Sequence, residues 1–462
     1  MLIGGNQNNN KKNIALKDTK MKKIIFILTI ICILFSCNTN NNEIHSFELD
    51  NSIPLYVLEN NNNRILNLRI LVSGGSSSVD TIEGIEDAVF SLLERGSQNY
   101  SYEAIQQFNY ETQTSFSGYS RKDSASYTVN AIDYHFKKAL PIFLDTFLNP
   151  SFDDKQIQLI LQDYQQEIQH AKNDPMAILQ KAACDYAYKN TPYEKSIIPT
   201  EQTLPLITKE NLQNEHKKIL NSNRITVIAV GNFNIAHLKK ALNESLGKLP
   251  RSPYTPSPTY PISIQEGNTE FIFSKNAQNT AYIGEIFNYP TMTDTDYFAA
   301  NIAASIYDEL LFNIVREKYG DCYSIASGAI VAKEAFGLLY AIKANNTQAI
   351  FTHIDEAKKL MSQGLTIQEK NNTTKDFTYI PYEQRLNDYK NSYLTNFYSG
   401  LQTNSALASH IATGLIISNN PLAYKEYENQ ILSVKAEDIK RVFEKYWIKS
   451  PKKIFIISDK NK

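Results

Sequence analysis

One pattern of residues runs through this chain twice, and a chain built that way is expected to fold as two copies of one unit. Each copy opens on β-type runs, Ile53 to Leu58 and Ile65 to Val72 in the first, Glu270 to Phe273 and Ala281 to Phe287 in the second. A helix follows in each, marked by Ile82, Ile85, Val89, Leu92 and Leu93 and by Phe298, Ile302, Ile306, Leu310 and Ile314 at helical spacing. Alternating runs, Ser126 to Ile132 and Leu338 to Ala344, precede long amphipathic helices. Both copies then close on a helix and a strand. Ile207-Thr208-Lys209-Glu210-Asn211 leads to Ile225 to Val230, and Ser433-Val434-Lys435-Ala436-Glu437-Asp438 leads to Ile454 to Ile457. Gly96 thus corresponds to Gly320, Lys209 to Lys435 and Ile225 to Ile454, at displacements that differ by only a few residues. Between the copies, Pro250, Pro253, Pro256, Pro258 and Pro261 read as a linker, because proline ends helices and cannot donate within a sheet. The expected architecture is α+β: two homologous α/β-sandwich domains in tandem, 47–249 and 263–462, joined by a linker at 250–262. A pseudo-twofold axis would relate them, with a space between.

Composition adds exclusions. A chain of 462 residues is too long for one hydrophobic core. Its 47 basic and 48 acidic side chains leave no basic surplus to neutralise phosphates, so nucleic acid is not an expected partner. Four cysteines are too few for a disulfide framework. The N-terminus points to export: Met21-Lys22-Lys23 precedes the apolar stretch Ile24 to Ser36, which falls short of the roughly 20 residues of a spanning helix. Leu34-Phe35-Ser36-Cys37 resembles a bacterial lipoprotein box, whose cysteine is acylated and becomes the first residue; the alternative is a plain signal peptide with an incidental cysteine. Residues 1–36 are expected to be an upstream extension and lipoprotein signal peptide, with Met21 preferred to Met1 as the start, and 37–46 a polar tether. The protein would be lipid-anchored through Cys37 in the bacterial cell envelope, on the periplasmic face of a membrane or at the cell surface. Cys184 and Cys322 lie in different halves, and their spacing does not argue for a bridge.

Five motifs narrow the reading further: Leu55-Tyr56-Val57-Leu58-Glu59-Asn60, Leu71-Val72-Ser73-Gly74-Gly75-Ser76, the stretch Gly84 to Ser97, Asn173-Asp174-Pro175, and Arg316-Glu317-Lys318-Tyr319-Gly320 with Tyr323-Ser324. In these, from roughly Phe47 to Asp459, the chain resembles the insulinase/pitrilysin family of zinc peptidases, which includes the mitochondrial processing peptidases. The resemblance implies metallopeptidase-like domains and a clam shell, made of two chains or two halves of a longer one, that closes around a peptide.

Active members carry G-[LI]-x-H-x-x-E-H-x-x-x-x-G-[TS]. Residues at i and i+4 share a helix face, so the two imidazoles grip one Zn²⁺ and the glutamate between them activates its water. Here the flanks Gly84-Ile85 and Gly96-Ser97 are intact, but Asp87 stands at the first ligand position, Phe90 at the general base and Ser91 at the second ligand. A phenyl ring takes no proton, and a serine hydroxyl is a poor zinc ligand. The seven histidines are scattered singly. The family's third ligand position falls on Glu167, in Glu167-Ile168 ahead of Asn173-Asp174-Pro175. Glu167 is expected to be either a solvated helix carboxylate or, with Asp87, an oxygen ligand of a harder cation.

The resemblance also implies a substrate-binding pair after the first long helix of the second domain, and Arg316 and Tyr323 match it. A guanidinium fork and a phenol are donors suited to carbonyl oxygens or a developing oxyanion. Their plainer reading is a helix-end arginine capping carbonyls and a strand tyrosine. Ala303-Ala304-Ser305-Ile306-Tyr307 stands where the family often has glycine-rich sequence, so the substrate channel is expected to differ in shape. Three functions follow as expectations. The first is a non-catalytic, substrate-binding subunit that binds no cofactor and pairs with a homologous chain carrying H-x-x-E-H and zinc, acting on peptides. The second is a structural or peptide-binding lipoprotein with no peptidase partner. The third, an enzyme active alone, is opposed by the missing imidazoles and base.

Overall fold

The first half of the chain is organised around six strands: β1 (Ile44–Glu48), β2 (Pro54–Leu58), β3 (Ile65–Ser73), β4 (Ser115–Ser120), β5 (Ser124–Ile132) and β6 (Ile225–Val230), in the order β1-β2-β6-β3-β5-β4. The second half contributes β7 (Glu270–Phe273), β8 (Ala281–Asn288), β9 (Ser324–Val331), β10 (Ala335–Ala344), a separate hairpin of β11 (Leu365–Lys370) and β12 (Phe377–Pro381), and β13 (Lys452–Ser458). Its main sheet runs β7-β13-β8-β10-β9. In both sheets the first strand of the repeat lies parallel to the last, β2 beside β6 and β7 beside β13, and the remaining neighbours are antiparallel. The repeat read in the sequence is therefore a repeat of topology. The computed structural model describes residues 43–79, 82–256, 259–370 and 376–460. The signal segment, Cys37 and most of the tether lie outside the described residues. The expected tether at 37–46 is corrected at its far end. Ile44, His45 and Ser46 pair with Leu58, Val57 and Tyr56 as the extra edge strand β1.

Local chemistry explains the elements that carry the motifs. The helix Ile85–Leu93 starts after Gly84, which sits at φ 81° where a Cβ would come within 2.0 Å of the Pro199 nitrogen, so only glycine fits. The helix Asp154–Asn173 is capped by Asp153, which accepts from the N–H groups of Lys155 and Gln156. Asp174 ends that helix and caps the next, Pro175–Ala187, by accepting from the Met176 N–H, with Pro175 in the first turn. Asn173-Asp174-Pro175 is thus the joint between two helices. The buried helix Tyr297–Leu311 widens into a π-wound stretch, Phe312–Lys318, that carries Arg316.

Each sheet packs one face against helices of its own half. Leu68, Ile70 and Val72 meet Val89, Phe90 and Phe143 in the first core; Ile283 and Phe287 meet Ile302, Ile306 and Trp447 in the second. On the opposite faces the halves trade helices. The helix Pro175–Ala187 lays Leu179 and Ala183 on Tyr282, Ile286, Phe455 and Ile457 of the second sheet. Reciprocally, the helix Asn404–Ser418 lays Leu407, Ala408 and Ile411 on Leu58, Leu71, Ile228 and Val230 of the first. At about 1.5–3 kcal/mol per buried aliphatic side chain, each exchanged helix is a substantial part of the stability of the half that receives it. The described residues from Ile44 onward accordingly form one compact unit. The proline-rich stretch holds no helix or strand among its described residues, yet its start is fastened to the first half. Ser222 N–H donates to the Pro250 carbonyl at 3.0 Å, and the Asn221 and Asn223 amides donate to the Ser252 carbonyl at 3.2 and 2.6 Å.

Candidate functional site

At the zinc-motif helix, the positions that would grip a metal are turned to internal hydrogen bonding. The phenol of Tyr164, from the helix Asp154–Asn173, donates to Asp87 Oδ2 at 2.7 Å and lies 3.4 Å from Ser91 Oγ. The Ser120 N–H donates to Asp87 Oδ1 at 3.2 Å. One phenol therefore bridges the two side chains that stand at i and i+4. Burial pushes the Asp87 carboxyl above its ordinary value, against the pull of the Tyr164 and Ser120 bonds, and it pushes the Tyr164 phenol strongly upward.

Phe90, at the general-base position, is fully buried in the first core. Its backbone is pressed against β4, where a Cβ on Gly118 would stand 2.2 Å from the Phe90 carbonyl oxygen. Glu167 is exposed one turn beyond Tyr164. These residues do not fit zinc: one ligand position offers a hydroxyl, the base position a buried ring, and Asp87 already has partners on both oxygens. Each Asp87 oxygen considered with Glu167 for a harder cation already accepts one protein hydrogen bond. Among the described residues, no group of three or more His, Cys, Asp or Glu side chains is placed to hold a metal.

Sequence reasoning missed two residues here. Tyr164 reads as one more member of the apolar stripe Ile157, Ile160, Leu161 and Ile168. Glu86 is 1% exposed, and among the described residues neither of its oxygens has a hydrogen-bond partner; Arg224 stands 3.8 Å away. Burial raises the Glu86 carboxyl to about 7, against the opposing pull of Arg224. The available signal was a second carboxylate, next to Asp87, on the same turn as the buried Ile85 and Val89.

In the second half, the structure brings Arg316 and Tyr323 together. The Arg316 guanidinium lies 5.6 Å from the Tyr323 ring and 4.7 Å from the Phe312 ring. Gly320, at φ 69°, turns the chain between them, and the Tyr323 N–H donates to the Ile342 carbonyl at 3.0 Å, fixing the entry into β9. Lys343 Nζ approaches the Tyr323 ring at 6.0 Å, a neighbour the motif did not announce. Tyr323 is 67% exposed, and Glu317 lies 3.8 Å from the Arg316 guanidinium. This pair presents a phenol to solvent with a half-buried cation beside it.

A duplicated α+β scaffold with a degenerate zinc helix in one half and an Arg–Tyr pair with an exposed phenol in the other defines a peptidase-like protein. Two family models match it: the one described as "Insulinase (Peptidase family M16)" over residues 55–201 and the one described as "Peptidase M16 inactive domain" over residues 206–373. Together they span most of the chain, which belongs to the insulinase family. An uncharacterized zinc protease of Rickettsia bellii is 23% identical over 219 residues, 46% of this chain and 52% of that protein. A probable mitochondrial-processing peptidase subunit beta of Arabidopsis thaliana is 20% identical over 185 residues, 40% of this chain and 35% of that one. The non-peptidase homolog YmxG of Helicobacter pylori is 19% identical over 309 residues, covering 65% and 71%. The chain thus spans about half and about a third of the length of the first two.

Among solved structures, the peptidase M16 inactive domain from Pseudomonas fluorescens superposes with a TM-score of 0.77 at 15% identity, covering 91% of this chain and 98% of that one. A protease from Helicobacter pylori gives 0.77 at 16% identity, covering 90% and 99%. The periplasmic protease PqqL from Escherichia coli gives 0.72 at 15%, covering 90% of this chain and 45% of its own. At these identities the likeness establishes the fold.

Proposed function

We propose that this protein is the non-catalytic, substrate-binding subunit of a zinc metalloendopeptidase that acts on peptides in the bacterial cell envelope. One observation carries the reading: a half-buried Arg316 is held beside the solvent-facing phenol of Tyr323, while the zinc positions of the same chain are consumed by internal bonds. In this reading a homologous partner chain brings H-x-x-E-H, the zinc and the attacking water. Arg316 and Tyr323 donate to substrate carbonyl oxygens and to the charge that develops on one of them, and acylated Cys37 holds the assembly at a membrane.

The test is affinity capture from the native envelope followed by reconstitution. A zinc-motif homologue should accompany the protein, and the mixture should cleave peptides that neither chain cleaves alone. Arg316→Ala or Tyr323→Phe should lower that activity by about 10²-fold, in the range seen for loss of one oxyanion donor. Unchanged activity in both variants sinks the substrate-binding role, and zinc near one per chain in the protein purified alone sinks the division of labour. The similarity to a relative named a non-peptidase homolog favours a second reading, a peptide-binding or structural lipoprotein without a peptidase partner. Absence from the genome of any similar chain with an intact H-x-x-E-H would select it.

A further inference from the structure

A cavity of about 480 Å³ lies between the halves, a volume usual for small-molecule sites. Its walls are the outer face of the first sheet, the turn that follows β9, and the exchanged helix Asn404–Ser418. Arg69 projects from the middle of β3 into it and is 5% exposed. One guanidinium nitrogen donates to Ser409 Oγ at 2.9 Å, while Nε has no hydrogen-bond partner among the described residues. Directly opposite on β5, Thr128 is 3% exposed, and its hydroxyl also has no hydrogen-bond partner among the described residues.

Among the described residues, no carboxylate forms an ion pair with Arg69. Its charged neighbour is another cation, Arg121, which lines the same cavity and stacks over Tyr119 at 5.1 Å. The acid in the wall, Asp123, is already engaged, accepting from the Tyr193 hydroxyl at 2.6 Å and from the Lys333 N–H at 2.8 Å. The Lys122 ammonium is taken by the backbone carbonyls of Tyr193, at 2.7 Å, and Lys195. Desolvation holds Arg69 below its ordinary basicity, and Arg121 adds to the effect. A guanidinium buried without a counter-ion is costly, and buried charges are ordinarily paired.

We infer that this cavity binds a molecule with a carboxylate on an apolar body, the carboxylate held between Arg69 and Arg121. The carbon chain lies along Leu71, Ile330, Ala412 and Ile416, apolar residues of the cavity wall. A carboxylate suits a guanidinium edge that still has an open N–H, and the apolar walls disfavour a dianion such as phosphate, whose desolvation costs more. Free fatty acids and the C-termini of apolar peptides share this chemistry. The inference does not depend on a peptidase partner.

The test is titration calorimetry on the purified full chain with decanoate, N-acetyl-trileucine and the C-terminal amide of that peptide. At least one free acid should bind at a single site, and the amide should not. Arg69→Gln and Arg121→Gln should each weaken binding by about 10- to 100-fold, the range for a lost hydrogen bond to a charged group. Binding of decanoate alone assigns the site to fatty acids, binding of trileucine alone to peptide ends, and either outcome upholds the site. No binding of either acid up to about 1 mM, where the interaction would be worth less than about 4 kcal/mol, overturns it. Equal affinity for acid and amide, or undiminished affinity in both variants, also overturns it. Should Arg69→Gln fail to fold, the exposed Arg121→Gln and the acid–amide comparison carry the same decision.

Discussion

Asp87 in the first half has both carboxylate oxygens engaged by Tyr164 and Ser120, whereas Arg316 in the second half stands beside an exposed phenol. The two motifs sit on the same scaffold, so the difference is local chemistry. The first has become part of the core's support: a phenol bridge above, a fully buried ring below, and a buried carboxylate next door. The second contributes little to folding, because a partly solvated cation beside an aromatic ring gains only about 0.5–1 kcal/mol. A chain can discard the metal and keep the helix, provided new hydrogen bonds satisfy the side chains that replace the ligands.

The largest effect that would test this contrast is Phe90→Glu, which restores the family's base. A carboxylate placed there is buried without a partner and should destabilise the protein by about 3–5 kcal/mol in urea denaturation. A loss below about 1 kcal/mol would show that the position opens to solvent and that the first site is not sealed.

Glu86 offers the next test, through pH. Its folded value of about 7 lies above the ordinary 4.5, so protonation favours the folded state. That contribution is complete below about pH 4.5 and is lost as pH rises through about 7. Glu86→Gln should match wild type near pH 5 and exceed it near pH 8, as read from urea midpoints. The difference between the two proteins isolates Glu86 from Asp308, whose carboxyl is raised into the same range by burial. Parallel profiles would mean that Arg224 compensates the charge in full.

Tyr164→Phe removes the bridge and should cost about 1–3 kcal/mol, the penalty for stranding a partly buried acceptor. Asp87→Asn should recover part of that loss in the double variant, because the two side chains act as one unit. Strict additivity would dissolve the bridge as a unit. The smallest effect belongs to the second half: Arg316→Ala should leave stability within about 1 kcal/mol of wild type, because the half-buried guanidinium makes only ring contacts and a 3.8 Å approach to Glu317. A larger loss would mean that Arg316 supports the π-wound turn and is not kept for a ligand.

Much of this scaffold was legible in the residues. Ile225 to Val230 and Ala281 to Phe287 form strands almost where their apolar runs predict, and the repeated order of elements anticipates the repeated strand order. The unforeseen features arise where residues distant in the chain meet. Leu407, Ala408 and Ile411 mark an apolar helix face but carry nothing that assigns it to the sheet of the other half. Tyr164 shows its phenol to Asp87 across the interior, although its position in the stripe announces only packing. Arg69 lies among Leu68, Ile70 and Leu71, and only the folded sheet shows that it faces away from the first core toward the cavity. Edge strand β1 escaped notice because His45, Ser46 and Glu48 lack a strand's apolar alternation.

The traded helices also set a timetable. Leu58, Leu71, Ile228 and Val230 are synthesised long before Leu407 to Ala412, the segment that covers them. Until nearly the whole chain has been made, the first sheet carries a bare apolar face, the kind of surface that invites aggregation in incomplete chains. Cutting the gene within the proline-rich stretch would make that wait permanent, leaving two fragments that each lack one wall and regain it only from each other.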